Sequence, residues 1–217
     1  MAPAEKSICA VCGTAAPAPF RPPVPAGAPD LDLRPAEPAR GSLSQWVQTC
    51  RACYAAAPDL ATLPLSAAEI VRSENYRWLE RHAPHVRPFL RWARLCPAHL
   101  RSEVFLMAAW SEDDAGNADA ARVLRQRALR VWGQQDGLPA ALRRLDMLRR
   151  TEAWAAAAEA AAWLDRQALD SVGAAILRLQ HAKIAARDSA RHSLAGAAAQ
   201  PPVAPERVGW VRRLLRR

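Results

Sequence analysis

Pro97-Ala-His-Leu-Arg-Ser-Glu-Val-Phe-Leu-Met-Ala-Ala-Trp-Ser-Glu-Asp-Asp-Ala-Gly116, continuing as Asn117-Ala-Asp-Ala-Ala-Arg-Val-Leu-Arg-Gln-Arg-Ala-Leu-Arg-Val-Trp132, is the stretch whose reading decides the fold. Pro97 suits the first turn of a helix, where its missing N–H leaves nothing unsatisfied. Leu100, Val104, Met107 and Ala108 then fall on one side at helical spacing. Gly116 and Asn117 make a tight connection, with Asn117 as N-cap. A second helix turns Ala120, Leu124, Ala128, Val131 and Trp132 inward and ends at Gly133. The pair is close in length to a tetratricopeptide (TPR) unit of ~34 residues. Ala108, Ala120, Ala121 and Ala128 allow the close approach that such packing needs.

The same signals extend in both directions. Ser66 and Glu69 have the spacing of a capping box at the start of a helix that runs to about His82 and stops at Pro84. Val86, Phe89, Leu90 and Ala93 give the next helix one apolar face, closed by Pro97. Further helices fit 139–150, 152–167 and 170–193, with the short connections of stacked antiparallel hairpins. The expected fold is mainly α: a helical-hairpin, TPR-like body over 63–195 behind a small zinc-ribbon-like segment over 1–62. A low-complexity linker and a basic amphipathic tail follow over 196–217.

The N-terminal part reads differently. Eleven of the 18 prolines lie in residues 1–64, so most of that stretch must be loop. A structureless connection from 13 to 45 is unusual unless its ends are tied down. The pairs Cys9-x-x-Cys12 and Cys50-x-x-Cys53 supply the tie. Each pair puts two thiolates on one tight turn, and two such turns complete a tetrahedral four-sulfur site. Thiolates select zinc or iron, and a closed four-cysteine site is usually structural. Cys9, Cys12, Cys50 and Cys53 are therefore the expected ligands of one zinc ion. Cys96 continues the apolar face of Phe89 and Ala93 and reads as packing.

Other candidate groups have plainer readings. His82 and His85 flank Pro84 with no further ligand nearby and read as surface histidines. Glu112, Asp113 and Asp114 end a helix and read as a solvated acidic run. Asp30, Asp32 and Arg34 sit in the long inter-knuckle loop, where a carboxylate–guanidinium pair could pin that loop to the helices. Glycine-rich phosphate loops, Ser/His/Asp patterns and metalloprotease helices are absent from the sequence.

The net charge is +9, and Lys6 and Lys183 are the only lysines. Residues 1–60 are neutral, whereas the last seventeen hold five arginines against Glu206. On a helix, Val208, Trp210, Val211, Leu214 and Leu215 segregate from Arg212, Arg213, Arg216 and Arg217. That pattern suits weak contact of Val208–Arg217 with an anionic membrane surface or a partner. The first residues lack the apolar run of a signal peptide, and no window has the ~20 apolar residues of a span, so the expected location is cytoplasmic.

Cys9-Ala-Val-Cys12-Gly13, Pro29-Asp-Leu-Asp-Leu-Arg-Pro35 and Trp46-Val-Gln-Thr-Cys50-Arg-Ala-Cys53 together resemble an uncharacterised bacterial family, catalogued as a domain of unknown function. Its members join a split CxxC…CxxC ribbon to TPR-like helices. Ala108-Ala-Trp-Ser-Glu-Asp-Asp114 and Leu148-Arg-Arg150 with Trp154 fit its helical half. Tyr54 stands where glycine is common in that family. The resemblance implies architecture and no activity. The expected function is a non-enzymatic, zinc-stabilised helical-repeat module for protein interaction or scaffolding. A nucleic-acid-binding zinc ribbon is the alternative, followed by a metal or dithiol oxidoreductase.

Overall fold

From Ala67 onward the chain is almost entirely helical in the computed structural model, which describes residues 7–132 and 137–194. The helices are α1 (Ala67–Arg72), α2 (Glu74–Arg77), α3 (Arg87–Leu95), α4 (Arg101–Asp114), α5 (Ala118–Arg130), α6 (Leu138–Arg150), α7 (Trp154–Leu164) and α8 (Ser171–Ala185). Before them lie two short antiparallel hairpins. One pairs β1 (Ser7–Ile8) with β2 (Ala15–Ala16), and the other pairs β3 (Gln48–Thr49) with β4 (Ala56–Ala57). No helix among the described residues is long and apolar enough to cross a membrane. Gly133 and the linker and tail over 196–217, including Val208–Arg217, lie outside the described residues.

The expected helix over 66–82 is broken. Ser66 makes no side-chain cap, so the capping box does not form. The chain instead turns extended at Ser73, whose hydroxyl caps α2 by accepting from the Tyr76 N–H at 3.3 Å. The break lets Tyr76 point into the core, where it is 2% exposed. The expected hairpin does form. α4 and α5 pack together across a three-residue connection, with Gly116 in the left-handed region at φ +77°. α5 turns Ala121, Leu124, Arg125 and Ala128 inward, while Val131 is 38% exposed. Its face is thus rotated from the expected one, because a guanidinium occupies a position that an apolar stripe would claim.

α4 departs furthest from expectation. It is buried from Ser102 to Glu112 with only Phe105 partly exposed, because α3, α5 and the N-terminal loops surround it. One apolar cluster runs from Cys9, Trp46, Val47, Cys50 and Ala55–Leu60 through α3, α4 and α5. The hairpins therefore share a core with the helices. A second cluster joins Leu142, Leu145, Leu148, Ala157, Ala161, Leu164, Ile176 and Leu177 of α6–α8. Leu31, from the inter-knuckle loop, is 1% exposed within this second cluster.

That loop is locked between the helices by polar contacts. The Leu31 N–H donates to the His192 carbonyl at 3.1 Å, and the Leu194 N–H donates to the Pro29 carbonyl at 3.1 Å. Arg40 closes on Asp30 at 2.6 Å. The Trp110 indole N–H donates to Asp32 Oδ2 at 2.6 Å. Arg34, 1% exposed, donates from both guanidinium nitrogens to Asp114 and lies over the Trp110 ring. The pinning expected of Arg34 is therefore present, with Asp114 as its counterpart.

The acidic run at the end of α4 is paired throughout and only Asp114, 45% exposed, stays in solvent, which corrects the sequence reading. Glu112 meets His85 at 2.9 Å, Asp113 holds both Arg125 and Arg150, and Asp114 holds Arg34. Each carboxylate of the run thus ties a different chain segment to α4. Nearby, buried Arg149 donates to Gln180 and Asp146 and to the carbonyls of Asp188 and Ala190. Asp146 and Gln180 are also hydrogen-bonded to each other, at 2.9 Å.

Removing one partner of a buried pair leaves an uncompensated charge. Asp113→Asn should therefore lower the unfolding free energy by about 3 kcal/mol or more, read as a lower urea midpoint. Asp119→Asn, on a 94% exposed side chain, should stay within about 0.5 kcal/mol. Burial alone would raise the Asp113 carboxyl, but Arg125 and then Arg150 outweigh it and hold it below its ordinary value. Its stabilising contribution should be complete above about pH 4 and lost as the pH falls through the depressed folded value.

Candidate metal centre

The two Cys-x-x-Cys turns are copies of one local structure offset by 41 residues, as the register shows: Ser7 pairs with Ala16, and Gln48 with Ala57. The Gly13 N–H donates to the Cys9 carbonyl at 2.9 Å, and the Tyr54 N–H donates to the Cys50 carbonyl at 2.9 Å. The Cys9 N–H reaches the Thr14 carbonyl at 2.9 Å, and the Cys50 N–H the Ala55 carbonyl at 2.8 Å. Each turn needs a left-handed residue after its second cysteine. Gly13 (φ +74°) fills that place in the first turn and Tyr54 (φ +62°) in the second.

The turns face each other and bring all four sulfurs within 4.8 Å of one another. Cys9 and Cys53 are 3.7 Å apart, and Cys12 and Cys50 are 3.6 Å apart. A tetrahedron with metal–sulfur bonds of ~2.3 Å has edges of about 3.8 Å, so the group fits a four-coordinate ion. None of the cysteines is in a disulfide. Among the described residues, these four are the one group of three or more His, Cys, Asp or Glu side chains converging closely enough to hold an ion. Cys9 and Cys50 are buried, Cys53 is half-buried and Cys12 is exposed.

The thiols have unequal proton affinities. Cys12 is held down to about 6, first by the Thr14 hydroxyl, 3.4 Å from its sulfur, and then by the Thr14 amide. Burial pushes Cys9 and Cys53 up, against amides of Val11 and Cys12 on the one and of Ala55 on the other. Desolvation opposes buried thiolates, and a bound cation reverses that balance. The donor set therefore favours a soft, thiolate-binding ion.

Tyr54 replaces the glycine that the second turn would otherwise use, and its surroundings account for this. Its carbonyl accepts from the Tyr76 hydroxyl at 3.0 Å, and the Arg91 guanidinium lies 5.3 Å from its ring centroid and 5.9 Å from that of Tyr76. Arg91 also donates to Glu80. The second turn is thereby fastened to α2 and α3.

Cys96 is buried, as expected for a packing residue, and desolvation pushes its thiol up to about 11. His82 and His85 remain apart from the cysteine cluster. His85 pairs with Glu112, and the His82 ring packs edge-on to Trp78. Arg125, Arg149, Arg150 and Asp146 are polar core residues that sequence reasoning missed. Local signals existed for three of them: Arg125 shares a helical stripe with Ala121, Leu124 and Ala128, and Asp146 and Arg149 share one with Leu142 and Leu145. The chain matches no protein family model, no curated protein and no solved structure.

Elemental analysis of the purified protein should return one metal ion per chain, and Cys50→Ser should lose it. Protons compete for thiolates, so affinity should fall as the pH is lowered. Tyr54→Gly should relieve left-handed strain of ~1 kcal/mol while losing a cation–π contact of similar size. Metal content should then be unchanged, with thermal stability shifted only slightly.

Proposed function

We propose that this protein is a zinc-stabilised helical interaction module, with the zinc in a structural role. The observation that carries this reading is the convergence of four sulfurs on one point, which leaves a tetrahedral ion no open position for substrate. The cluster also closes a loop whose middle reaches into both apolar clusters, so the ion would order the helical scaffold as well as the hairpins.

The partner we propose is a protein. α6 and α7 leave between them a groove of 310 Å³, lined by Ala141, Ala156, Ala160, Leu164 and Trp163, with Arg144 and Glu159 at its edge. Trp163 is 45% exposed there. Small side chains beside an exposed indole suit the apolar face of an amphipathic partner helix, which is how TPR-like hairpins would be used. Five cysteines without a disulfide suit a reducing cytoplasm. Weak anionic-membrane contact through Val208–Arg217 would be a second tether.

The reading is tested in two steps. Metal analysis should identify redox-silent zinc; a coloured, redox-active iron centre would overturn the structural role. Capture from native lysate should then yield a protein bound by the full chain and lost with Trp163→Arg, whose circular dichroism should be unchanged. Equal capture by both forms would remove the α6–α7 groove as the docking site.

A further inference from the structure

Every carboxylate between Glu80 and Asp119 is engaged. Glu80 takes Arg87 and Arg91, Glu103 takes Arg143, Glu112 takes His85, Asp113 takes Arg125 and Arg150, Asp114 takes Arg34, and Asp119 takes Arg122. Arginines remain in surplus. Arg77, Arg81, Arg127 and Arg130 are exposed and have no ion-pair partner among the described residues. A surface whose guanidiniums outnumber its available carboxylates attracts an external anion.

Arg81 lies over an aromatic side chain that the core does not cover, and Arg77 is that side chain's neighbour in sequence. Trp78 is 51% exposed, with the Arg81 guanidinium 5.9 Å from its ring centroid and the His82 ring edge-on at 5.3 Å. His82 has its proton affinity lowered chiefly by burial and next by the charge of Arg127. Val123 and Val131, one turn to either side of Arg127, are 44% and 38% exposed.

We propose that this face binds single-stranded nucleic acid, with a base stacked on the Trp78 indole, Arg77 and Arg81 against the adjoining phosphates and Arg127 adding its charge to the same surface. An indole offers a stacking platform to any base, and guanidiniums beside it track the backbone. An acidic protein segment would answer the charge equally well, but it needs a pocket for an apolar anchor. The half-exposed Trp78 indole beside the Arg81 guanidinium offers an open ring to a base. This site is separate from the α6–α7 groove and goes beyond the protein-docking role proposed above.

The test is fluorescence anisotropy of a fluorescein-labelled oligothymidylate with the full-length, metal-loaded protein. Binding should weaken steeply between about 50 and 200 mM salt. Trp78→Ala should weaken it on the order of ten-fold. Arg81→Gln and Arg127→Gln should each lower the salt slope by about one. All three positions are exposed, so circular dichroism and zinc content should not change, which separates failure here from failure of the zinc reading. No binding at about 50 mM salt would overturn the proposal. Equal affinity for labelled polyglutamate would overturn it in favour of an acidic protein partner. Binding indifferent to Trp78→Ala but abolished by glutamine at Arg212, Arg213, Arg216 and Arg217 would overturn it in favour of the tail.

Discussion

Two turns 41 residues apart must present their sulfurs to one point, and the path of the N-terminal third of the chain follows from that requirement. The segment between them holds most of the prolines of its region and no regular element longer than a single 3-10 helix. Hydrogen bonds within each turn shape the turn alone and do not bring the two together. Convergence of the thiols does so, and with it Ala55, Ala56, Ala57 and Leu60 enter the core beside α3 and α4. The hairpins are too short to hold a core of their own, so their stability is joined to that of the helices.

The loop closed in this way is used as a wedge. Its middle carries Leu31 into the α6–α8 cluster and sets Asp32 and Arg34 against Trp110 and Asp114 of α4. Asp32 is fully buried, and desolvation followed by the charge of Asp146 pushes its carboxyl up, with Arg125 countering. Such a group is tolerated only where donors are already in place, as the Trp110 indole N–H and the Arg34 amide are here. The buried ion pairs around α4 cost desolvation and reward only correct geometry. They therefore select one arrangement of loop and helices more than they add to the total stability.

With the four thiols converging on one another and the acidic run of α4 committed to ion pairs, the groups left for recognition lie on outer faces. The α6–α7 groove is apolar and small-sided, and the Trp78 face is aromatic and arginine-rich. Their different chemistry is the basis for assigning them different partners. Both faces stand on helices held by the same buried lattice, so a partner at either one meets a preformed surface.

The helices and the four cysteines were legible because their signals are local. A period of 3.6 with proline and glycine punctuation located α3, α4, α5 and α6, and two Cys-x-x-Cys spacings located the four-cysteine cluster without a structure. The break at Ser73, the near-complete burial of α4 and the inward arginines of α5 and α6 were not legible in this way. A helical arginine or a run of Glu-Asp-Asp reads as solvated unless its partner is known, and the partners of Asp113 and Asp114 lie 12 to 80 residues away along the chain. By itself, then, the sequence determined where the chain is helical and which four cysteines converge. The tertiary structure alone decided which charges are buried, because the cost of burying a charge depends on counter-charges brought from distant segments.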